Sequence, residues 1–252
     1  MRRYWLDDKI SSGQVFQLKD DLFHHIIVVC RQGLGSQFEL ISTDGKAHLV
    51  EVLSVGKKTA EVKAISEREL AQLKKPHIHL VLAISRFPVM DVIVEKSVEM
   101  GVKAIHPVVS EFSQIRSIKE FPQDRLARWE RLVKMATQQS GRGELMQIER
   151  PRTVKEILTE INQKPKSLGL FAYEGDGGLP VKQHLQQKRA EIHDLDTLWL
   201  FVGSEGGFST EEVKDFKATG LSPITLGEQV LRVETACITL VSILKYEFEL
   251  LR

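Results

Sequence analysis

The chain has 252 residues, 42% of them hydrophobic and 27% charged, with a formal net charge of +1 at pH 7. One or two domains with a real core are expected, in an ordinary soluble globular protein. No global basic field marks it for nucleic acid, so any polyanion-binding residues must be concentrated locally. No apolar run reaches the roughly 18 residues of a membrane span. The start Met1-Arg2-Arg3-Tyr4-Trp5 does not read as a signal peptide. Cys30 and Cys237 lie in apolar runs and are expected to be buried free thiols of a reducing, cytoplasmic compartment.

Residues 1 to 72 are predicted to be all-β. Alternating runs cover Ser36–Ile41, Ala47–Leu53 and Thr59–Ile65, and Asp44-Gly45 links the first two as a hairpin. Short strands at this spacing suggest a small barrel. The charged stretch Ser66–Lys75, followed by Pro76, reads as a linker. From His77 the pattern becomes strand–helix alternation, which predicts a largely parallel sheet. Expected strands are His77–Ser85, Ala104–Val109, Ser167–Tyr173, Leu198–Val202 and Ile224–Leu226. Expected helices are Met90–Met100, Gln123–Gln139, Val154–Ile161, Glu211–Ala218 and Thr235–Leu251. Nothing repeats internally.

Along the helix at Gln123–Gln139, Arg125, Arg128, Arg131 and Lys134 recur every three residues beside Leu126, Trp129, Leu132 and Ala136. This basic face is either solvated or an RNA track. Gly175-Asp176-Gly177-Gly178 reads as a surface turn or a lid. His77 and His79 share one strand face, but without a third ligand nearby no metal is expected.

Two glycine-bearing turns follow strands near the C-terminus. Gly203-Ser204-Glu205-Gly206-Gly207-Phe208-Ser209 opens a helix, with Ser209 and Glu212 spaced as a capping box. Leu226-Gly227 leads through Leu231-Arg232-Val233-Glu234-Thr235-Ala236 into the last helix. Glycine lets main-chain groups approach a ligand closely, and in open α/β sheets ligands sit outside the carboxyl ends of strands. Neither turn has the lysine of a phosphate loop or the G-x-G-x-x-G spacing of a dinucleotide site. Arg232 and Glu234 are charges at the start of an otherwise apolar helix, and must be paired or functional.

These segments resemble the signature of the SPOUT methyltransferases, and within them the RsmE-type enzymes that methylate N3 of a uridine in small-subunit (16S) ribosomal RNA. GSEGGFSTEE and LGEQVLRVETA stand where that family reads G-P-E-G-G-[FL]-[ST]-x-x-E and L-G-x-R-[IV]-L-R-x-E-T-A. Arg86, Val94–Val102 with Pro107, and Gln139-Ser140-Gly141-Arg142 also resemble family segments, and Arg2-Arg3-Tyr4, His25 and Arg31 do so more loosely. The match runs nearly end to end. It departs at Val28, Phe112 and Gln229, where arginine or another basic residue is usual, and at Gln138, Met146 and Ser204.

The resemblance implies a C-terminal trefoil-knotted α/β domain over 73–252 and an N-terminal PUA-like β-barrel over 1–72 that binds RNA. It implies S-adenosylmethionine as cofactor, held by Gly203, Glu205, Gly206, Gly207, Leu226, Gly227, Leu231 and Thr235. Arg232 is expected to stabilise the uracil anion, or else to pair with Glu234 or Glu205. Glu234 is expected to act as base, or to cap helix N–H groups. Arg2, Arg3, His25, Arg31, Arg86 and Arg142 are the expected RNA contacts. Partners implied are ribosomal RNA or the small subunit, and a second copy of the chain through the apolar last helix. The alternative is an inactive or retargeted SPOUT-fold RNA-binding protein.

Overall fold

The computed structural model describes residues 2–175, 177–188, 192 and 194–251. Asp176 of the glycine-rich loop lies outside the described residues. The chain divides into two compact units, residues 1–72 with 134–145, and residues 73–133 with 146–252.

The first unit contains β1 (Arg3–Trp5), β2 (Val15–Leu18), α1 (Asp20–Phe23), β3 (Gln37–Ile41), β4 (Lys46–Val55) and β5 (Ala60–Glu69). They form a five-stranded sheet in the order β1-β3-β4-β5-β2, parallel only between β1 and β3. Side chains alternate across a strand with period two. Accordingly Ala60, Val62 and Ala64 of β5 are buried while Glu61, Lys63 and Ile65 face out. They pack with Tyr4, Leu18, Ile26, Phe38, Leu40, Val50 and Val52. Gly45, at φ +78°, turns the predicted hairpin. Among the described residues the hydrogen-bonded path of this sheet runs from β1 to β2 without a β1–β2 pair.

The all-β expectation fails at residues 20–29, where α1 runs on into a π-helical turn over His24–Val29. Burial explains it: the turn drops Phe23 and Ile26 into the core and leaves Val28 and Val29 outside. Tertiary packing overrides the strand preference of this β-branched run. Cys30, directly after it, is only partly buried, contrary to expectation, whereas Cys237 is buried; both are free thiols.

The second unit is α/β, as expected. Its strands are β6 (His77–Ala83), β7 (Ala104–Val109), β8 (Gln147–Ile148), β9 (Arg152–Thr153), β10 (Ser167–Ala172), β11 (Leu179–Pro180), β12 (Thr197–Val202) and β13 (Ser222–Thr225). Its helices are α2 (Phe87–Glu99), α4 (Val154–Asn162), α5 (Val181–Gln187), α6 (Thr210–Ala218) and α7 (Val233–Glu247). The helix α3 (Gln123–Ser140) begins here and ends in the first unit. The eight-stranded sheet runs β11-β13-β10-β12-β6-β7-β8, with β9 also on β7. Its strand pairs are parallel. A parallel sheet is buried on both faces, and Leu198–Val202 is accordingly buried throughout. After β13, beyond β10, the chain comes back so that α7 packs on α2 and β12.

Several boundaries move. The strand expected to reach Leu226 ends at Thr225. The last helix begins at Val233 because Arg232, at φ −62° and ψ 153°, is its extended N-cap. It stops at Glu247, and Glu249 then turns left-handed at φ +53°.

The basic face of α3 is partly occupied. Arg128 pairs with Asp91 at 2.8 Å, and the Arg125 guanidinium lies 4.5 Å from the centre of the Phe87 ring. Lys134, in the first unit, pairs with Asp7 at 2.8 Å.

His79 meets His106 rather than pairing with His77: its Nδ1 is 2.9 Å from His106 Nε2. A guanidinium can only donate, so the 3.0 Å contact from Arg152 Nη2 makes His106 Nδ1 an acceptor. This assigns the proton of His106 to Nε2, donated to His79. Burial, followed by the charge of Lys164, pushes His79 down to about 4. Burial, followed by the charges of His79 and Arg152, pushes His106 down to about 3.

Candidate cofactor cleft and nucleic-acid residues

The first turn begins where β12 ends. Gly207 N donates to Ser204 O at 2.9 Å and closes it tightly. A Cβ on Gly203 would come within 2.7 Å of the main chain of Gly207, so side chains are excluded there. Gly207 itself stands at φ +72°, a left-handed conformation that suits glycine. The predicted capping box is present: Ser209 Oγ accepts from Glu212 N at 3.3 Å, and Glu212 Oε2 accepts from Ser209 N at 2.8 Å. Glu212 Oε1 also accepts from Glu111 N at 3.0 Å, which ties the loop after β7 to the turn.

The second turn links β13 to α7. Gly227 stands at φ +121°. Its N–H and C=O both engage Thr225 Oγ1, at 3.3 and 3.2 Å. Arg232 then caps α7, whose first main-chain N–H groups have no partner within the helix.

Between the turns lies a cleft of about 740 Å3. Its lining includes Gly203, Glu205, Gly206, Gly207 and Leu231 from the expected cofactor set, together with Arg232 and Glu234. Leu226, Gly227 and Thr235 of that set do not line it. Phe208 and Val230, from within the two motif segments, do, and so do Tyr173 and Glu174, which no motif suggested. Tyr173 follows β10, the neighbour of β12, so the rule placing ligands at strand carboxyl ends was the available signal.

Glu205 does not bond to Arg232. Its Oε1 accepts from Arg86 Nε at 2.9 Å. Burial pushes the carboxyl upward, but the hydrogen bond from Arg86 and main-chain donors outweigh it and hold Glu205 below the usual range. Arg86, expected on RNA, thus lines the cleft. Arg232 is exposed and forms no ion pair among the described residues. Glu234 is half-buried in the first turn of α7.

The other expected RNA residues lie in the first unit. Arg2 is exposed and donates to Cys30 O at 2.8 Å. Arg31 and His25 are exposed, and the His25 ring meets Tyr4 edge-on at 5.6 Å. Arg3 pairs with Glu39 at 2.9 Å and overlies Gly141, so its guanidinium is already engaged. Arg142 departs furthest from expectation. Its side chain is only 6% exposed and lies 3.5 Å from Glu144. Burial pushes its pKa down, Glu144 opposing. A guanidinium held inward does not present its donors to phosphates.

A family profile described as an RNA methyltransferase domain matches residues 72–245, and one described as an RNA methyltransferase PUA domain matches residues 18–65. Ribosomal RNA small subunit methyltransferase E of Bacillus subtilis is 24% identical over 255 residues, covering 100% of this chain and 99% of that protein. The protein of the same name from Aquifex aeolicus is 30% identical over 202 residues, 80% of this chain and 82% of its own. A crystal structure of the Neisseria gonorrhoeae enzyme of that name, bound to S-adenosylmethionine, is 29% identical, covers 98% of both chains and superposes with a TM-score of 0.84. A Legionella pneumophila structure in complex with the same cofactor is 28% identical over 97% of each chain, with a TM-score of 0.86. With these matches along nearly its whole length, the chain belongs to the RNA methyltransferase family, and within it to the RsmE type.

Proposed function

We propose that this chain transfers the methyl group of S-adenosylmethionine to N3 of a uridine in small-subunit ribosomal RNA. The observation that carries the reading is the glycine-walled cleft, lined also by Arg232, which forms no ion pair among the described residues. The residues fit the cofactor. The cleft falls within the roughly 300–1,000 Å3 of small-molecule sites, its wall at Gly203 admits no side chain, and main-chain N–H groups start α7 beside it.

When bound, the cofactor supplies a methyl group already activated by its sulfonium, so the protein need supply no nucleophile. The turn at Gly203–Gly207 and the segment at Leu231 orient it through main-chain groups. Phe208, Leu231 and Val233 line the cleft with apolar surface that excludes water. A uracil N3 carries a proton and must lose it to attack. Arg232 stabilises the developing anion by pairing with a uracil carbonyl. Glu234 takes the N3 proton on a carboxylate oxygen.

In this reading residues 1–72 bind RNA and residues 73–252 bind the cofactor, in the cytoplasm; no helix of the described residues is long and apolar enough to cross a membrane. The chain acts as a homodimer through α7. Its Leu240, Val241 and Leu244 are buried within the protomer, while Ile238 and Ile243 remain half-exposed and Tyr246 is 72% exposed. Light scattering is expected to give twice the 28.6 kDa of one chain, and a monomer at micromolar concentration removes the dimer.

Mass spectrometry of small-subunit RNA from a deletion strain tests the activity. Loss of one N3-methyluridine, restored by the intact gene but not by its Arg232→Ala variant, supports the reading. Unchanged methylation leaves the alternative, an RNA-binding protein without this activity.

A further inference from the structure

The loop after β7 holds one exposed aromatic side chain against the glycine turn. Phe112 is 44% exposed, and an isolated exposed apolar residue ordinarily needs no explanation. Its main chain, however, is fixed on every side. Ser204 Oγ donates to Phe112 O at 2.6 Å, and Glu111 N donates to Glu212 at 3.0 Å. The Arg116 guanidinium folds back onto Glu111 O. Ser110 N donates to Ser113 Oγ at 2.9 Å, and Gln114 N to Ile84 O at 2.7 Å. The backbone is anchored while the ring stays outside.

The ring is also beside the cleft. A Cβ added to Gly206, a lining residue, would lie 2.9 Å from Phe112 Cβ and 3.2 Å from its Cγ. A rigidly mounted, exposed aromatic next to a nucleic-acid methyl-transfer site has a specific use. Single-stranded bases stack on aromatic faces, and a preorganised face loses little freedom when they do.

Resting on the function proposed above, we infer that Phe112 is a substrate-binding residue on which a nucleobase of the RNA stacks at the rim of the cleft, with Ser204 as its positioning residue. An arginine at this position grips by charge; a phenylalanine grips by its π face, a contact far less sensitive to salt.

The test uses the full chain, tritiated S-adenosylmethionine at saturation, and small ribosomal subunits from a strain deleted for the gene. KM and kcat for subunits are measured for the parent and for Phe112→Ala, Phe112→Leu and Phe112→Tyr, with cofactor affinity by calorimetry. Phe112→Leu keeps apolar bulk but lacks the ring. Both it and Phe112→Ala are expected to raise KM for subunits by roughly 5- to 150-fold, as loss of a stacked base does. Phe112→Tyr restores the parental value, and cofactor affinity is unchanged throughout. Leucine serving as well as phenylalanine overturns the inference. So does a loss matched by weaker cofactor binding, which would make Phe112 a prop for Gly206. A parent that transfers no methyl to these subunits sinks the functional reading, and the inference with it.

Discussion

Arg86, at the start of α2, and Glu205, in the glycine turn after β12, are joined by a 2.9 Å hydrogen-bonded ion pair across 119 positions of sequence. Both side chains are substantially exposed, at 68% and 42%. Such a pair contributes about 0–1 kcal/mol to stability, so its value lies in geometry. Arg86→Ala is expected to leave the melting temperature nearly unchanged and to weaken S-adenosylmethionine binding by about tenfold, or about 1.4 kcal/mol. A lower melting temperature with unchanged affinity in calorimetry would assign the pair to stability instead.

Gly203→Ala is expected to abolish cofactor binding. Its Cβ would stand 2.7 Å from the main chain of Gly207, which has no flexible end to move aside. Gly227→Ala is a milder change, because only Gln229 Oε1, at 3.9 Å, lies nearby and the penalty is the strained φ of +121°. Strain of that kind costs about 1–3 kcal/mol. Calorimetry on both variants checks the order, and parental affinity in folded Gly203→Ala would remove the turn from the site.

Arg232→Ala is expected to lose methyl transfer far more than cofactor affinity. Stabilisation of charge that appears only as N3 is deprotonated shows in the rate rather than in ground-state binding. Removal of one preorganised donor costs on the order of 100-fold or more. Single-turnover transfer of labelled methyl, with cofactor affinity in parallel, measures it. Near-normal transfer would dismiss Arg232 from this role.

Acid should destabilise the second unit through His79 and His106. Their folded values lie at about 4 and about 3, below the ordinary 6.5. Above 6.5 both states are neutral and the full stability is present. As pH falls below 6.5 the unfolded chain takes up protons that the folded chain refuses, so stability drops until the folded values are reached. The slope is about 1.4 kcal/mol per pH unit for each histidine. Protonation of His106 at Nδ1 would also break the bond from Arg152. Denaturant melts of the parent and of His106→Gln between pH 7 and 4 should show the shallower fall in the variant. Equal falls would place the acid sensitivity elsewhere.

The sequence was most legible where a local rule governs. The strand expected at Ala104–Val109 is present residue for residue, its β-branched residues Ile105, Val108 and Val109 suiting a pleated sheet despite His106 and Pro107 between them. The capping box at Ser209 follows from side-chain reach alone. The helical turn at 20–29 was not legible, since its β-branched residues prefer strands and only the core around Ile26 decides otherwise. The partnership of Glu205 with Arg86 depends on a neighbour distant in sequence, and the burial of Arg142 beside Glu144 on tertiary packing. Tyr173 belongs to no motif and reaches the cleft because the sheet sets β10 beside β12; Phe112 was visible only as a departure from the family pattern, and it is hydrogen bonds that tie its loop to the glycine turn.

Glutamate and glutamine are normally interchangeable at the third position of a capping box. At Glu212 they are not, because each carboxylate oxygen has its own donor, Ser209 N on one and Glu111 N on the other. An amide offers one acceptor oxygen and must abandon either the helix start or the β7 loop. Glu212→Gln is therefore expected to behave as a loss rather than an isosteric swap, with a lower melting temperature or weaker binding of RNA. A neutral outcome in both assays would mean that one of these two bonds is dispensable.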